Sequence, residues 1–386
     1  MTDYRPYRKN RLFCPGPTPV TLDSQLAIFN QSLYHRTQDF YTIFSGCREQ
    51  MSKLFGSREH PLILSSSGTG AMEAAVVNLT DVGDEVLCLN GGKFGARWAQ
   101  LCDAYQCKTH ELKFSWGEQV PLERLEEILK ANRNIKAVFF QANETSTGTS
   151  FRVEEITKMI NQHTNALTVL DGISALGVEQ ISMDQWNVDC ILTGSQKGLG
   201  IPPGLSFICL QKRLWEQISH RPKFYFDLKK EKEQQDKGQS AFTPAISHIL
   251  MLKSSLQQMN AIGLEKIYES HLKVAKAVRG AFEEMGLNLF AKRYPSPGLT
   301  AVNIPENIDG KLLINSLREK YGMTFAGGQE NYKGKILRFA HLGYFDPGDI
   351  AAGLIAIETE LSLLGHSCSK GCGARVFWQI YHDLSL

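Results

Sequence analysis

The chain has almost no charge of one sign to spare. Lys and Arg number 42 against 40 Asp and Glu, a formal net charge of +2 over 386 residues, so the polyelectrolyte surface that nucleic acid requires is missing. Its basic residues are dispersed apart from a mixed run at 229–237. Long hydrophobic runs are missing too: none reaches membrane-spanning length, and the polar, basic first ten residues have no apolar stretch behind them. The expectation is a cytoplasmic protein with neither nucleic acid nor a membrane among its partners. Internal repeats and low-complexity tracts are absent, as are a Gly-Lys-Ser/Thr phosphate loop and a paired-glycine dinucleotide fingerprint.

Cysteine is present without a framework. There are nine, an odd number without regular spacing, and Cys88, Cys190 and Cys209 fall inside apolar strand-like runs where a thiol is usually a small core residue. A reducing compartment fits this better than disulfides do. The segment His366-Ser367-Cys368-Ser369-Lys370-Gly371-Cys372 offers three potential ligands, too few and too loosely spaced for a structural zinc site. No metal is expected, and a packed or disordered tail is the better reading.

What is there is the balance of a globular protein: 42% hydrophobic and 21% charged residues. The length suits two domains. Strand-like runs at 62–64, 85–89, 137–140, 167–170, 190–192 and 206–210 alternate with helix-like segments at 72–79, 96–105, 122–132 and 154–162. That alternation predicts an α/β domain with a largely parallel sheet, which binds ligands at the carboxyl ends of its strands. Past a charged stretch at 229–238 come helical patterns at 246–259 and 264–285, then a mixture of strand and helix signals, which predicts a smaller α+β domain. The expected divisions are an arm at 1–20, a large domain at 21–260, a small domain at 261–365 and a tail at 366–386. The proline-rich Leu12-Phe13-Cys14-Pro15-Gly16-Pro17-Thr18-Pro19 suits neither helix nor central strand and should be extended.

Three strand ends carry chemistry. Leu62-Ile63-Leu64-Ser65-Ser66-Ser67-Gly68-Thr69-Gly70 runs from a strand through small residues into a helix, so backbone amides of Ser67, Gly68 and Thr69 could receive a phosphate; a tight turn that binds nothing is the competing reading. Leu170-Asp171-Gly172 ends an apolar strand with a carboxylate, which needs a cation if buried and otherwise caps the next segment. Thr193-Gly194-Ser195-Gln196-Lys197-Gly198 follows another apolar run and precedes the stiff Pro202-Pro203-Gly204 loop. A lysine fixed there is suited to attack a carbonyl compound. Arg338, inside the apolar pattern Lys335-Ile336-Leu337-Arg338-Phe339-Ala340, needs a fixed anion: a bidentate carboxylate of a substrate, or an internal salt bridge.

Taken together, Ser67-Gly68-Thr69-Gly70-Ala71-Met72-Glu73, Leu170-Asp171-Gly172-Ile173-Ser174-Ala175-Leu176-Gly177 and Gly194-Ser195-Gln196-Lys197 with Pro202-Pro203-Gly204 resemble the class V aminotransferases. The likeness is greatest to the alanine:glyoxylate and serine:pyruvate group, with the cyanobacterial soluble-hydrogenase small-subunit type inside it. The resemblance runs from the Pro-Gly-Pro arm to Arg338. It implies the aspartate aminotransferase fold, pyridoxal 5'-phosphate as cofactor, and a homodimer with its sites at the interface. It also implies residue roles. Lys197 would hold the cofactor as a Schiff base and Asp171 would pair with its ring nitrogen. Ser67, Gly68, Thr69 and Gln196 would hold the phosphate, joined by Thr243 from the other subunit. Phe94, in Gly92-Lys93-Phe94-Gly95-Ala96-Arg97, would stack on the ring, and Ser146, in Asn143-Glu144-Thr145-Ser146-Thr147-Gly148, would contact it. Gly16 and Arg338 would meet the substrate. The activity implied is transfer of an amino group from a small amino acid (alanine or serine) to a small keto acid (glyoxylate or pyruvate). A lyase or cysteine desulfurase, and a non-catalytic subunit of a larger complex, are the competing readings.

Overall fold

The computed structural model describes residues 9–29 and 32–384. Strands are β1 (Arg11–Phe13), β2 (Leu62–Leu64), β3 (Glu85–Asn90), β4 (Lys108–Lys113), β5 (Ala137–Gln141), β6 (Asn143–Glu144), β7 (Thr149–Ser150), β8 (Leu167–Asp171), β9 (Cys190–Gly194), β10 (Ser206–Leu210), β11 (Leu299–Asn303), β12 (Met323–Gly327) and β13 (Ile336–Ala340). Seven form one sheet in the order β2-β10-β9-β8-β5-β3-β4. Neighbours from β9 through β4 are parallel, and β10 runs antiparallel to both β9 and β2.

Every residue of β2, β5, β8, β9 and β10 is buried. Strands covered on both faces are uniformly apolar rather than alternating, which is why these runs stand out in the sequence. Successive residues still divide between two cores: Val138 and Phe140 pack with Phe40, Phe44 and Phe207 on one face, while Ala137 and Phe139 pack with Leu62, Trp98 and Ile208 on the other. Helix Gln38–Phe55 covers the first face, its amino end capped by Thr37, which accepts from Phe40 N. Helices Gly68–Leu79 and Lys93–Ala104 supply the second.

A second, four-stranded sheet, β1-β12-β13-β11, carries the other large core, in which Phe13, Phe282, Phe339, Leu354 and Phe377 meet. Within the arm, Arg11–Phe13 forms a three-residue edge strand paired in parallel with β12, in keeping with an extended segment that cannot be central. The tail is a packed helix, Cys372–Asp383, that lies against helix Leu264–Glu284 and puts Phe377 into this same core. Its candidate ligands have packing partners: His366 Nε2 lies 2.7 Å from the Met285 carbonyl oxygen and Cys372 Sγ 3.7 Å from Glu358. The charged stretch forms helix Leu228–Gln235, where buried Gln235 pairs with both backbone groups of Ile63 at 2.8 and 2.9 Å and closes the sheet edge at β2. Among the described residues no helix is long and apolar enough to cross a membrane.

Because Phe377 is fully buried in the second core, on a tail helix packed against helices Leu264–Glu284 and Pro347–Leu363, Phe377→Ala is expected to lower stability by about 3–5 kcal/mol. Urea unfolding followed by circular dichroism checks this; an unchanged midpoint would contradict the docking of the tail.

Candidate active site

Parallel pairing brings the carboxyl ends of β5, β8 and β9 to one side of the large sheet, and register sets Asp171 beside Gln141 and Leu192. The loops that follow line a cavity of about 90 Å³ at the carboxyl ends of these strands, where a sheet of this kind binds its ligands. Ser67, Gly68, Thr69, Phe94, Asp171, Gln196 and Lys197 all line it. Residues from four separate segments thus meet at one place.

Lys197 is 9% exposed, and its Nζ donates to the Pro15 carbonyl of the arm. Burial pulls its pKa down from 10.5 to about 8; Asp171 opposes this, while Arg338 and Arg97 add to it. Its loop is stiff for a stated reason: buried Ser195 donates to Pro202 O at 2.7 Å and accepts from Leu205 N at 3.2 Å. Thr18 reaches from the arm to the Lys197 carbonyl at 2.9 Å. Gly16 takes φ +141°, and a Cβ there would stand 2.6 Å from Lys197 Nζ, so the arm can lie on the amine only with glycine at this position.

Asp171 closes β8, 5% exposed. Its Oδ1 accepts from Ile173 N at 2.8 Å, so the local-turn bond expected of a strand-end aspartate is made. Burial nonetheless raises its pKa to about 7, with Glu144 adding to the rise and Ile173 N, Lys197 and Arg97 opposing it. A cation brought against this carboxylate would relieve that cost.

At the other end of the cavity, helix Gly68–Leu79 begins at Ser67 with no side chain capping it. Among the described residues, Gln196 Oε1 is buried there without a hydrogen-bond partner. Arg97, which the sequence reading passed over, also lines the cavity; it donates from Nη1 to Thr69 Oγ1 at 3.1 Å and stacks 4.9 Å above the Phe94 ring. Its signal was its place three residues after Phe94, on the same helical face.

Four expected site residues do not line that cavity. Ser146 is fully buried, but its hydroxyl turns to Glu144 and to Lys93 N; Asn143 and Thr145 of the same loop line the cavity instead. Thr243 is exposed, in a separate groove with Ser65, Tyr225 and Phe242. Gly16 touches Lys197 from the arm. Arg338, 6% exposed on β13, donates to Gly327 O at 2.9 Å and to Thr145 O at 2.8 Å, so it stands one residue behind the cavity wall. It makes no ion pair among the described residues. The internal salt bridge is not there.

A buried lysine of lowered pKa, a carboxylate in need of a cation and a helix amino end with no side-chain cap are the set a pyridoxal phosphate site needs: amine for the aldehyde, acid for the ring nitrogen, backbone amides for the phosphate. The residues fit that cofactor. Residues 22–341 match the family model for Aminotransferase class-V, and the chain belongs to the class V aminotransferase family, pyridoxal phosphate-dependent transaminases of aspartate aminotransferase-like fold. It is 35% identical over 364 residues to "Soluble hydrogenase, small subunit" of Synechococcus sp., spanning 93% of this chain and 94% of that one. It is 32% identical to the serine–glyoxylate aminotransferase of Hyphomicrobium methylovorum, over 94% of this chain and 92% of the relative. Among solved structures it resembles an aspartate aminotransferase of Thermus thermophilus, with a TM-score of 0.86, 28% identity, and coverage of 92% of this chain and all of that one.

The lowered pKa of Lys197 has a kinetic consequence. Only the neutral amine attacks an aldehyde, so capture of pyridoxal phosphate by the apoprotein should accelerate about tenfold per pH unit below pH 8 and level off above it. Stopped-flow absorbance checks this; a rate that keeps climbing to pH 10 would mean an amine of ordinary basicity.

Proposed function

We propose that the protein transfers an amino group from a small amino acid, alanine or serine, to a small keto acid, glyoxylate or pyruvate, with Lys197 as the covalent anchor of the cofactor. The observation that carries this is the convergence of Lys197, Asp171 and Gln196 on one cavity with a buried, acid-free arginine directly behind its wall. The cofactor supplies an aldehyde that condenses with amines and a ring that accepts the electron pair left when the substrate α-carbon loses its proton. The chain does the rest. Lys197 Nζ, whose lowered pKa enlarges its neutral fraction, takes the proton from the substrate α-carbon and would deliver it to the carbon that was the cofactor's aldehyde, the same transfer running in reverse for the keto acid. Asp171 holds the proton on the ring nitrogen. Ser67, Gly68, Thr69 and Gln196 hold the phosphate, Phe94 covers the ring face, and Arg338 exchanges carbonyl partners for the substrate carboxylate.

The name of the Hyphomicrobium relative supports serine and glyoxylate, whereas that of the Thermus structure points to aspartate. Alanine and serine are favoured because no arginine is left for a second carboxylate: Arg97 is engaged by Thr69 and Phe94, and Arg338 is assigned to the first. A desulfurase would need a reactive thiol. Cys368 and Cys372 pack around Glu358 in the second core, and the thiol of Cys14, nearest to Lys197, is pushed up by burial and directed at Thr324 O. We further propose a cytoplasmic homodimer in which Thr243 of each chain completes the partner's phosphate site; exposed Phe224 and Tyr225 flanking its groove support that reading.

Mixing the holoprotein with single amino acids and recording spectra tests the activity. Alanine or serine should remove the violet absorption and yield one equivalent of pyruvate or hydroxypyruvate, with aspartate slower; sulfide from cysteine without keto acid would favour the desulfurase. Arg338→Ala should raise the amino-acid KM roughly 100-fold with a smaller loss in kcat.

A further inference from the structure

Glu144 is fully buried and, among the described residues, has no cationic partner within ion-pair distance. A carboxylate in that position is costly unless hydrogen bonds hold its charge. Its Oε2 accepts from Phe94 N and Gly95 N, each at 3.1 Å, and from Gln141 Nε2 at 2.8 Å. The other oxygen, Oε1, accepts from Ser146 N at 3.1 Å and from the Ser146 hydroxyl. Ser146 Oγ in turn accepts from Lys93 N at 3.1 Å. Burial raises the carboxyl's pKa, and this ring of donors opposes the rise without cancelling it. Both oxygens only accept, so the ionised form fits the site.

These bonds satisfy the first three amides of helix Lys93–Ala104, a task usually done by the residue just before a helix. That residue is Gly92, which has no side chain to offer. It has no room for one either: a Cβ at Gly92 would come within 2.3 Å of the Glu144 carboxyl carbon and 2.6 Å of Ser146 Oγ. The cap is supplied instead from a loop fifty residues on. Asn143 and Thr145, on either side of Glu144, line the cofactor cavity, and the Thr145 carbonyl is held by Arg338. A negative charge at a helix amino end is favourable in itself. A serine or aspartate at position 92 would have provided that locally, but would not have tied the helix to the cavity wall.

We propose that Glu144 is a positioning residue: its carboxylate sets the amino end of helix Lys93–Ala104, and with it the Phe94 ring, against the cavity wall that Thr145 and Arg338 share. The inference rests on the reading of Phe94 as the ring that covers the cofactor.

Glu144→Gln tests it, because an amide of the same shape turns a donor toward either Phe94 and Gly95 or Ser146. In the apoprotein, hydrogen exchange at the Phe94 and Gly95 amides should quicken at least tenfold while helix Gly68–Leu79 exchanges as before. Pyridoxal phosphate should bind roughly tenfold more weakly, and the visible circular dichroism of the bound cofactor should shrink. In a Phe94→Leu background the same substitution should cost little further affinity, since it acts through the ring. Unchanged exchange at Phe94 and Gly95, or losses that add fully in the double variant, would overturn the proposal. If Phe94→Leu alone leaves cofactor affinity intact while Glu144→Gln still quickens exchange, the reading of Phe94 fails and the clamp on the helix stands. Should Glu144→Gln not fold, Glu144→Asp, which keeps the charge on a shorter stem, is expected to give the same pattern at smaller size.

Discussion

The structure depends on keeping one amine out of water. Lys197 would be charged on any surface, and moving it to the end of a buried strand costs free energy that the surroundings recover only in part: one carbonyl from the arm, one carboxylate across the cavity. The neighbouring guanidinium groups of Arg97 and Arg338 oppose the charge further. The outcome is an amine whose pKa falls from 10.5 to about 8, so that far more of it is neutral at physiological pH than of a surface lysine, and the neutral form is the one that attacks a carbonyl. The fold accepts this cost because the sheet beneath is rigid and the Ser195-to-Leu205 loop cannot relax away from it.

The remaining parts of the site answer to that constraint. The arm forms an edge strand of the small sheet, crosses to the lysine and is stitched there by Thr18 and by the close approach of Gly16. The 143–150 loop joins the two sheets from the other side: Ser150 N bonds to Tyr294 O, Ser296 N to Gly148 O, and Arg338 to Thr145 O. The cavity wall is thus shared by both cores, and a carboxylate that drew Arg338 away from Thr145 would be felt at the cofactor.

How much of this was legible beforehand follows from burial. The doubly covered strands were read almost residue for residue because both of their faces must be apolar. Edge strand β4, Lys-Thr-His-Glu-Leu-Lys, buries only Leu112 and left no such trace; β12, with two of its five residues buried, left little more. Lys197 and Asp171 were legible because a polar residue that ends a buried strand has few ordinary explanations. Glu144 was not, although its loop was noticed: its meaning lies in a pairing with Phe94 and Gly95 that only the folded chain creates. Arg338 stands out in the sequence as a charge in an apolar strand, and its partners among the described residues are carbonyls rather than an acid. The tail helix escaped notice because glycine and serine precede it, and its apolar face reads as a helix only once helix Leu264–Glu284 is there to receive it.

The most direct measurement is chemical. Reduction of the holoprotein with borohydride, followed by proteolysis and mass mapping, should place a pyridoxyl group on Lys197 and on no other lysine, and Lys197→Ala should yield unlabelled peptides and a colourless protein. A label on a different lysine, or a native protein that takes up no cofactor at all, would contradict the account at its root.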